Sequence, residues 1–300
     1  MQKTEGIKKI AVNPEYFEVL DACPWCGGES RNNPLWCDDQ EPFKTVQCVH
    51  CGMVFGQTRL SPKGRHEYYK QYYNDIHQLQ NDLVSKRDEM YKVEIKFIEL
   101  YITKGKVLDV GCSGGEFLTC FNEDNWIRWG GEFGRKAVQV AQERIGPSVL
   151  HGELPELENI LTEHKFDLIL FRGVIEYVPY PKDYLETALR LLSPRGKIFI
   201  GSTPNRDSLC ANLFRNKWNQ HCPESHIFHF SPHDFKDFFY KNSLKLIGET
   251  YFYLETPYAD VDKDLQLIKK AIEVRSRGEE IDFESPPFWG NLMTLMFEKQ

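Results

Sequence analysis

The stretch that constrains the fold most strongly is residues 106–118, which read KVLDVGCSGGEFL. Its first half contains Val107, Leu108 and Val110, and such an apolar run predicts a buried parallel strand because both faces of that kind of strand are covered. The glycine-rich turn that follows has almost no side-chain bulk, so a ligand can approach the backbone N–H groups that open the next segment. The sequence therefore predicts a nucleotide-type cradle on a strand–turn–helix unit.

Beyond this turn, the chain alternates segments with strand and helix patterns. Repeated strand–helix units imply an α/β fold in which helices cover both faces of a parallel sheet. We therefore expect a Rossmann-like, seven-stranded doubly wound sheet whose last strand is antiparallel, with ligands above the carboxyl ends of the strands. After the first strand, the expected strands are residues 127–133, 149–150, 166–171, 197–200, 244–248 and 292–297, and the expected helices are residues 116–123, 135–144, 181–192 and 232–240.

Two long stretches interrupt this alternation. Residues 203–230 form a polar and aromatic loop with three histidines, and residues 251–290 form an insertion that contains a predicted helix near residues 261–277. Long loops above a sheet edge are usually functional, as lids or as walls of a binding site. We expect both stretches to border the substrate, with residues 251–290 acting as a lid.

Five of the nine cysteines lie close to the N-terminus, and four of them form two C-x-x-C-G motifs. Two such turns can supply four thiolates at the corners of a tetrahedron, and the odd cysteine count favours a metal over disulfides. The motifs predict a closed, structural zinc site with the ligands Cys23, Cys26, Cys48 and Cys51. Cys37 and His50 are alternative ligands that the sequence leaves open, and a set of free core cysteines is the competing interpretation.

The domain organisation follows from these motifs. Residues 1–60 are expected to form a zinc-ribbon module, residues 61–103 a helical linker, and residues 104–300 the cofactor-binding domain. Ser61 followed by Pro62 is a typical start of a helix. Tyrosines at 68, 69, 72 and 73 share one helical stripe, which is more often a packing face than a ligand cage.

Composition limits the class of protein. The formal net charge of -7 argues against a broad nucleic-acid footprint. The N-terminus lacks an apolar signal segment, and no run reaches the roughly 18 apolar residues that a membrane span needs. We expect a soluble, cytoplasmic protein with a small-molecule partner, and neither a membrane nor a nucleic acid as its binding partner.

Acidic residues near the turn indicate which nucleotide it binds. The turn lacks the G-x-G-x-x-G pattern that holds a pyrophosphate, and Asp109 directly before it favours a cationic, amine-bearing ligand such as S-adenosylmethionine. Glu132, at the end of the next strand, can accept both ribose hydroxyls. Glu153 can accept from the adenine amino group, and Phe133 offers a ring for stacking. The remaining cofactor candidates are the turn residues Gly111, Cys112, Ser113 and Gly115.

Residues 104–250 and the C-terminal strand resemble a class I S-adenosylmethionine-dependent methyltransferase of the ubiquinone-biosynthesis-like branch. The N-terminal cysteine motifs resemble the zinc-binding leader of one subgroup, which implies a sugar, a sugar nucleotide or another polar precursor of polysaccharides or natural products as acceptor. The motifs that carry the resemblance are VLDVGCSGGEFL at 107–118, FDLIL at 166–170, VIEYVP at 174–179, LLSPRGKI at 191–198, TPN at 203–205 and HIFHFSP at 226–232.

The chain departs from the family pattern in two places. Ser113 stands where the family has a glycine, and we expect its backbone to avoid positive φ. Tyr177 follows Glu176 where the family usually has histidine, so a base at that position is lost. Sugar C-methyltransferases resemble this chain through the zinc leader, but they carry a further C-terminal domain after the seventh strand. The resemblance therefore does not imply C-methylation, and O-methylation is the expected reaction.

If the acceptor is a hydroxyl, a base near the methyl group assists the transfer. Histidine titrates near neutral pH, so the loop histidines are candidates, with His226 before His229 and His221. Glu176 is a further catalytic candidate, and Arg172 at a strand end is a candidate for catalysis, for the cofactor, or for a phosphate or carboxylate of the acceptor.

Two other classes of function compete with a small-molecule enzyme. An RNA methyltransferase would use the zinc module as its RNA-binding arm, with Arg31, Lys44 and Arg59 among its few basic residues. A non-catalytic binding or scaffold protein would keep the fold without the reaction. The acidic composition weighs against the first, and the complete set of Asp109, Gly111 and Glu132 weighs against the second.

Overall fold

The computed structural model describes residues 13–29, 33–36, 42–76 and 81–300, which form two β-sheets joined by two helices. The smaller, N-terminal sheet has the order β1-β4-β3-β2, and these neighbouring strands are antiparallel. The two C-x-x-C-G turns flank its strands. These strands are β1 (Phe17–Val19), β2 (Asn33–Trp36), β3 (Lys44–Gln47) and β4 (Val54–Leu60).

Two helices, α1 (Pro62–Ile76) and α2 (Asn81–Glu99), connect the sheets. The start of α1 agrees with the sequence prediction, since the Ser61 hydroxyl accepts a hydrogen bond from the Gly64 N–H at 3.2 Å. Helix α2 packs against one face of the larger sheet through Tyr91, Phe97 and Ile98. The linker is therefore packed against the domain that follows it.

The larger sheet has the order β11-β12-β9-β8-β5-β6-β7. Strand β12 is antiparallel to both of its neighbours, and the remaining pairs are parallel, which confirms the expected topology. Its strands are β5 (Gly105–Val110), β6 (Trp126–Glu132), β7 (Val149–His151), β8 (Phe166–Arg172), β9 (Leu192–Pro204), β11 (Leu244–Thr250) and β12 (Leu292–Lys299), and its helices include α3 (Arg135–Ile145), α4 (Leu154–Leu161), α5 (Pro181–Leu191) and α7 (Pro232–Lys241).

Two elements differ from the sequence prediction. The prediction of a full helix over residues 116–123 is wrong, because only a short 3₁₀ turn forms at Phe117–Cys120. The Asn122 side chain accepts a hydrogen bond from the Asn125 N–H at 3.0 Å, which starts a new turn and ends the helical segment. Strand β9 is longer than residues 197–200 because it begins at Leu192 and bulges before Lys197.

The two interrupting stretches pack on each other. Residues 203–230 contain α6 (Leu209–Phe214) and the short strand β10 (Phe228–His229), and the insertion contains α8 (Val261–Ser276), close to the predicted helix. Buried side chains of α6 and α8 share one apolar cluster. Both stretches therefore form a structured layer.

Strand β10 belongs to the N-terminal sheet. It pairs with β4, with Phe228 opposite Phe55 and His229 opposite Val54. The Gly56 N–H also donates to the Ile227 carbonyl at 2.9 Å. The N-terminal sheet is thus built from segments about 170 residues apart in the chain, and one apolar core runs from it to the larger sheet. In the part of the chain that the structure describes, every helix is too short or too polar to cross a membrane.

Candidate functional site

The glycine turn follows β5 and has an unusual backbone. Gly111 and Gly115 have φ angles of 72° and 80°, and Ser113 lies at 51°. The expectation that Ser113 avoids positive φ is therefore wrong. The reason is a hydrogen bond, because the Ser113 N–H donates to Oε2 of Glu132 at 2.9 Å and is held in that direction. Gly111 also has no room for a side chain, since a Cβ there would lie 2.6 Å from Cγ2 of Val174.

Glu132 is the acid that the turn is built around. It is almost fully buried at the end of β6, and its Oε1 accepts from the Gly134 N–H at 2.6 Å. Both carboxylate oxygens are thus anchored by backbone N–H groups. Cys112 is also buried and packs against Gly130, where a Cβ would lie 2.7 Å from its Sγ. The arrangement fixes the Glu132 carboxylate beside the turn, at the position from which we expect it to bind ribose.

Asp109 lies beneath the turn with 2% of its surface exposed. Burial raises the pKa of its carboxyl group to about 8, although the nearby Arg172 guanidinium acts in the opposite direction. At neutral pH a large share of this carboxyl group is therefore protonated.

Arg172 at the end of β8 is held by two neighbouring elements. Its Nε donates to Oε2 of Glu94 on α2 at 2.5 Å, and Oε1 of the fully buried Glu94 accepts from the Ser202 hydroxyl at 2.7 Å. The guanidinium also lies over the rings of Tyr91 and Phe117, 4.5 and 5.3 Å from their centroids. These contacts lock the side chain close to the turn, and a cofactor or acceptor would meet a guanidinium that is already paired.

Helix α1 covers the two residues expected at the adenine. Arg65 forms an ion pair with Glu153, with 3.2 Å between Nη2 and Oε1. The Phe133 ring faces Arg65 at 5.8 Å, Tyr69 at 6.1 Å and His66 at 6.5 Å. Sequence reasoning missed Arg65, because the contact spans 88 residues and no local motif marks it. The tyrosine stripe was predicted as a packing face, and Tyr69 packs on a predicted cofactor residue.

Among the candidate bases, His226 has a defined protonation pattern. Its Nδ1 lies 2.7 Å from the Gln220 carbonyl oxygen and must donate to it, because a carbonyl only accepts. The neutral ring therefore accepts at Nε2 from the Tyr177 hydroxyl, 2.8 Å away. Burial lowers the pKa of His226 to about 4, so the ring is neutral at pH 7.

The other two histidines face the N-terminal sheet. Nε2 of His221 lies 3.1 Å from the Thr45 hydroxyl, and burial lowers the pKa of His221 to about 4. His229 is on β10, 5.2 Å from the His221 ring, and burial lowers its pKa well below the usual range. His226 thus contacts the loop after β8, whereas His221 and His229 lie against the N-terminal sheet. The three rings are close enough for the charge of His226 to lower the pKa of the other two.

Glu176 is buried next to this loop. Burial raises the pKa of its carboxyl group to about 8, and within the described residues its Oε2 atom has no hydrogen-bond partner. Its backbone carbonyl accepts from the N–H groups of Ile227 and Phe228 at 2.9 and 3.2 Å. This pairing places the segment with His226 directly beside Tyr177.

The four cysteines of the two C-x-x-C-G turns come together. Their sulfur atoms all lie within 4.8 Å of one another, with 3.8 Å between Cys23 and Cys51 and 3.6 Å between Cys26 and Cys48. Zn–S bonds of about 2.3 Å at tetrahedral angles require sulfur separations of about 3.8 Å, so this donor set fits zinc.

Backbone groups support the sulfur atoms. The Gly28 N–H faces Cys26 and the His50 N–H faces Cys48, each at 3.4 Å. Within the described residues the metal-ligating cluster consists of four cysteines and does not include His50. Cys37 lies outside the described residues.

The fold and the turn define an S-adenosylmethionine-dependent methyltransferase. The family model described as a methyltransferase domain matches residues 77–249, which is more than half of the chain. The chain belongs to this methyltransferase domain family. The match confirms the resemblance inferred from the sequence and the cofactor that it implies.

Related sequences cover part of the chain. An uncharacterized protein of Methanocaldococcus jannaschii is 31% identical over 43% of this chain and 58% of its own length. A ubiquinone biosynthesis O-methyltransferase of Coxiella burnetii is 35% identical over 38% of this chain and 51% of its own length. The chain therefore spans about half the length of the curated relatives that it matches.

Solved structures share the fold. An S-adenosylmethionine-dependent methyltransferase from Archaeoglobus fulgidus has a TM-score of 0.51 at 16% identity, and covers 77% of this chain and 100% of its own. A possible histamine N-methyltransferase from Thermotoga maritima has a TM-score of 0.50 at 18% identity, and covers 77% of this chain and 98% of its own. At this identity the likeness concerns the fold alone.

Proposed function

We propose that the protein transfers the methyl group of S-adenosylmethionine to a hydroxyl of a polar small molecule, such as a sugar, a sugar nucleotide or a related precursor. The observation that carries this proposal is the hydrogen bond between Tyr177 and His226. It supplies an imidazole at the end of β8, next to the position where the family usually has histidine. The relative named as an O-methyltransferase is in line with a hydroxyl acceptor.

S-adenosylmethionine supplies an electrophilic methyl group on a sulfonium sulfur. In such a transfer the acceptor oxygen would form a bond to the methyl carbon, the carbon–sulfur bond would break with its electron pair going to sulfur, and the hydroxyl proton would be released. The acceptor oxygen becomes more acidic as it gains the methyl group. Even a weakly basic imidazole can therefore take the proton.

The protein's own groups would divide this work. The turn and Glu132 would hold the nucleoside part of the cofactor, because the carboxylate is already oriented by Ser113 and Gly134. Tyr177 would take the acceptor proton as it gives its own proton to Nε2 of His226. The Gln220 carbonyl keeps Nδ1 protonated, so the proton has one place to go.

The competing RNA hypothesis depends on exposed basic residues in the N-terminal module. Arg59, one of the basic residues named above, is 1% exposed, pairs with Glu18 at 2.8 Å and donates to the Pro179 carbonyl at 3.0 Å. Such a residue is part of the interface with the methyltransferase domain and is not available to phosphates. Lys44 is exposed, and Arg31 lies outside the described residues.

Calorimetric titration of the zinc-loaded protein with S-adenosylmethionine tests the cofactor half of the proposal. We expect Glu132→Ala to weaken binding by tenfold or more, about 1.4 kcal/mol. The control Glu143→Ala, on the exposed side of α3, should bind as the parent does. No binding by the parent would overturn the proposal, and unchanged binding by Glu132→Ala would favour a scaffold protein.

Transfer from a radiolabelled donor tests the acceptor half. Nucleotide sugars and total cellular RNA are offered separately, and we expect label in the sugar fraction. Label in RNA, with binding that weakens steeply as salt rises, would support the RNA hypothesis instead.

A further inference from the structure

A cavity opens at the carboxyl edge of the larger sheet, away from the glycine turn. It has a volume of about 400 Å³ and lies between the loop after β9, helix α7 and the two ends of the insertion. The order β9-β8-β5 separates it from the turn by two strand spacings, roughly 10 Å. Its main lining residues are Asn205, Asp207, Lys236, Glu249, Tyr251 and Trp289.

One wall of the cavity is aromatic. Trp289 leaves 59% of its surface exposed, which is unusual for a tryptophan that has no ligand to cover it. The Tyr251 ring is 5.5 Å from the Trp289 ring, at an interplanar angle of 59°. Rings tilted in this way cannot sandwich a flat heterocycle, but each can cover the apolar face of a non-planar ring.

The other walls carry polar groups of both signs. Glu249 is held by the Tyr251 hydroxyl at 2.5 Å and by Lys236 at 2.7 Å. The Asn205 side-chain NH2 group donates to the Gly290 carbonyl at 3.0 Å, and the Asn205 side-chain oxygen accepts from the Asp207 N–H at 3.0 Å. These contacts give the cavity a rigid floor.

The Asp207 carboxylate differs from these groups. It is 62% exposed, and its closest cation within the described residues is Arg206, at 3.9 Å. An ion pair of that length at the surface contributes little free energy. Asp207 is therefore the carboxylate that remains available to hydroxyl groups of a ligand.

We propose that this cavity binds a glycosyl unit of the acceptor, remote from the hydroxyl that is methylated. Aromatic faces suit the C–H face of a sugar ring, and the exposed Asp207 carboxylate suits its hydroxyls, while Glu249 and Lys236 form a paired polar wall. The basic groups of the lining already face carboxylates, Lys236 at Glu249 and His233 at Asp237, so a phosphate fits the cavity less well than an uncharged ring. The assignment rests on the proposed function, and it adds the place where a remote part of the acceptor contributes binding energy.

Saturation-transfer NMR with methyl α-D-glucopyranoside, methyl α-D-galactopyranoside and UDP-glucose tests the assignment on the full-length, zinc-loaded protein. We expect transfer to sugar-ring protons. Trp289→Ala and Asp207→Asn should weaken binding of the sugar by about tenfold, and Trp289→Phe should retain part of it. The control Tyr258→Ala removes an exposed aromatic of the same insertion that does not line the cavity, and it should bind as the parent does.

Calorimetry with S-adenosylmethionine on the same proteins separates the two proposals. We expect every variant to bind the cofactor as the parent does. Three results would overturn the assignment if the parent still binds the cofactor: no sugar binding, saturation transfer to the uridine protons alone, or equal sugar binding by Trp289→Ala. Each of them would leave the proposed methyl transfer unaffected. If the parent does not bind S-adenosylmethionine, the proposed function itself is overturned.

Discussion

Arg65 of helix α1 and Glu153 at the start of helix α4 form an ion pair, with 3.2 Å between Nη2 and Oε1. Both side chains are largely buried, at 14% and 21% exposure, so solvent screens the pair less than it screens a surface pair. The pair connects the helix that leaves the N-terminal sheet to an acid that we expect at the adenine. We therefore expect cofactor affinity to depend on a residue of helix α1, which lies before the matched methyltransferase domain.

Replacing Arg65 is expected to change cofactor affinity. Arg65→Ala leaves Glu153 without its cation and removes the guanidinium beside Phe133, so the dissociation constant for S-adenosylmethionine should rise several-fold, about 1 kcal/mol. Calorimetric titration measures it. Lys63→Ala on the same helix is the matched control, since Lys63 is 61% exposed and pairs with Glu15. Equal affinities for the two variants would contradict the role of Arg65 as a positioning residue.

Metal content is the next expected outcome. The purified protein should contain about one zinc per chain, and chelation should remove the N-terminal sheet from the folded structure, because the metal site contributes folding free energy. Metal analysis and limited proteolysis are the measurements. Cys26→Ser should lose the metal, while Cys120→Ser, an exposed cysteine outside the cluster, should keep it. Metal-free protein with an intact, protease-resistant N-terminus would refute the four-cysteine assignment.

Stability should depend on pH through His226. Its pKa is about 4 in the folded protein against an ordinary value of 6.5, so between these values the unfolded chain binds more protons than the folded one. The free energy of unfolding should therefore be highest above pH 6.5 and fall by about 2–3 kcal/mol towards pH 4 from this group.

Urea denaturation of the parent and of His226→Gln over this pH range is the measurement. The variant cannot titrate at this position, so its stability should fall less steeply with decreasing pH than that of the parent. His221, whose pKa is also lowered to about 4, remains in both proteins. Because the charge of His226 is one cause of that lowering, the difference between the two curves contains the direct effect of His226 and its effect on His221. Parallel curves would show that His226 is not held neutral by the fold.

Ser113 provides a test of backbone strain in the cofactor turn. Its φ of 51° is a conformation that glycine adopts at no steric cost, so Ser113→Gly should stabilise the protein by about 0.5–1 kcal/mol. Thermal unfolding measures the gain. Ser243→Gly, at a φ of 62° far from the turn, is the matched variant and should gain a similar amount. A loss of stability in Ser113→Gly alone would indicate that the serine side chain has its own stabilising contact in the turn.

Local patterns in the sequence were sufficient for much of the structure. The apolar run ending at Val110 and the glycines after it predicted β5 and the turn, because strand burial and glycine turns depend on nearby residues. The positive φ of Ser113 was not predicted, since it goes with a hydrogen bond to Glu132, 19 residues away. The C-x-x-C-G spacing likewise predicted the cluster of Cys23, Cys26, Cys48 and Cys51. Within the turn and within each C-x-x-C-G motif, few residues separate the groups that act together. The two motifs themselves are 22 residues apart at Cys26 and Cys48, and it is their identical spacing that indicated a shared site.

The contacts that the sequence did not predict are all distant along the chain. Arg65 meets Glu153 across 88 residues, and Tyr177 meets His226 across 49. Tyr177 stands where the family usually has histidine, which suggested that a base is lost. The imidazole near that position is supplied by His226 from another loop. Such pairings depend on the tertiary fold, and no periodicity or motif in one sequence encodes them.

The two-residue strand β10 has a consequence for how this protein is made. Strand β4 emerges from the ribosome about 170 residues before its partner at Phe228, and at roughly 5–20 residues per second it waits on the order of ten seconds or more. During that interval β4 can pair with β3 and β1, and only its short edge at Val54 and Phe55 lacks its partner. An unpaired strand edge is a template for association with other chains. The N-terminal sheet can therefore be completed only late in synthesis, after Phe228 and His229 have left the ribosome.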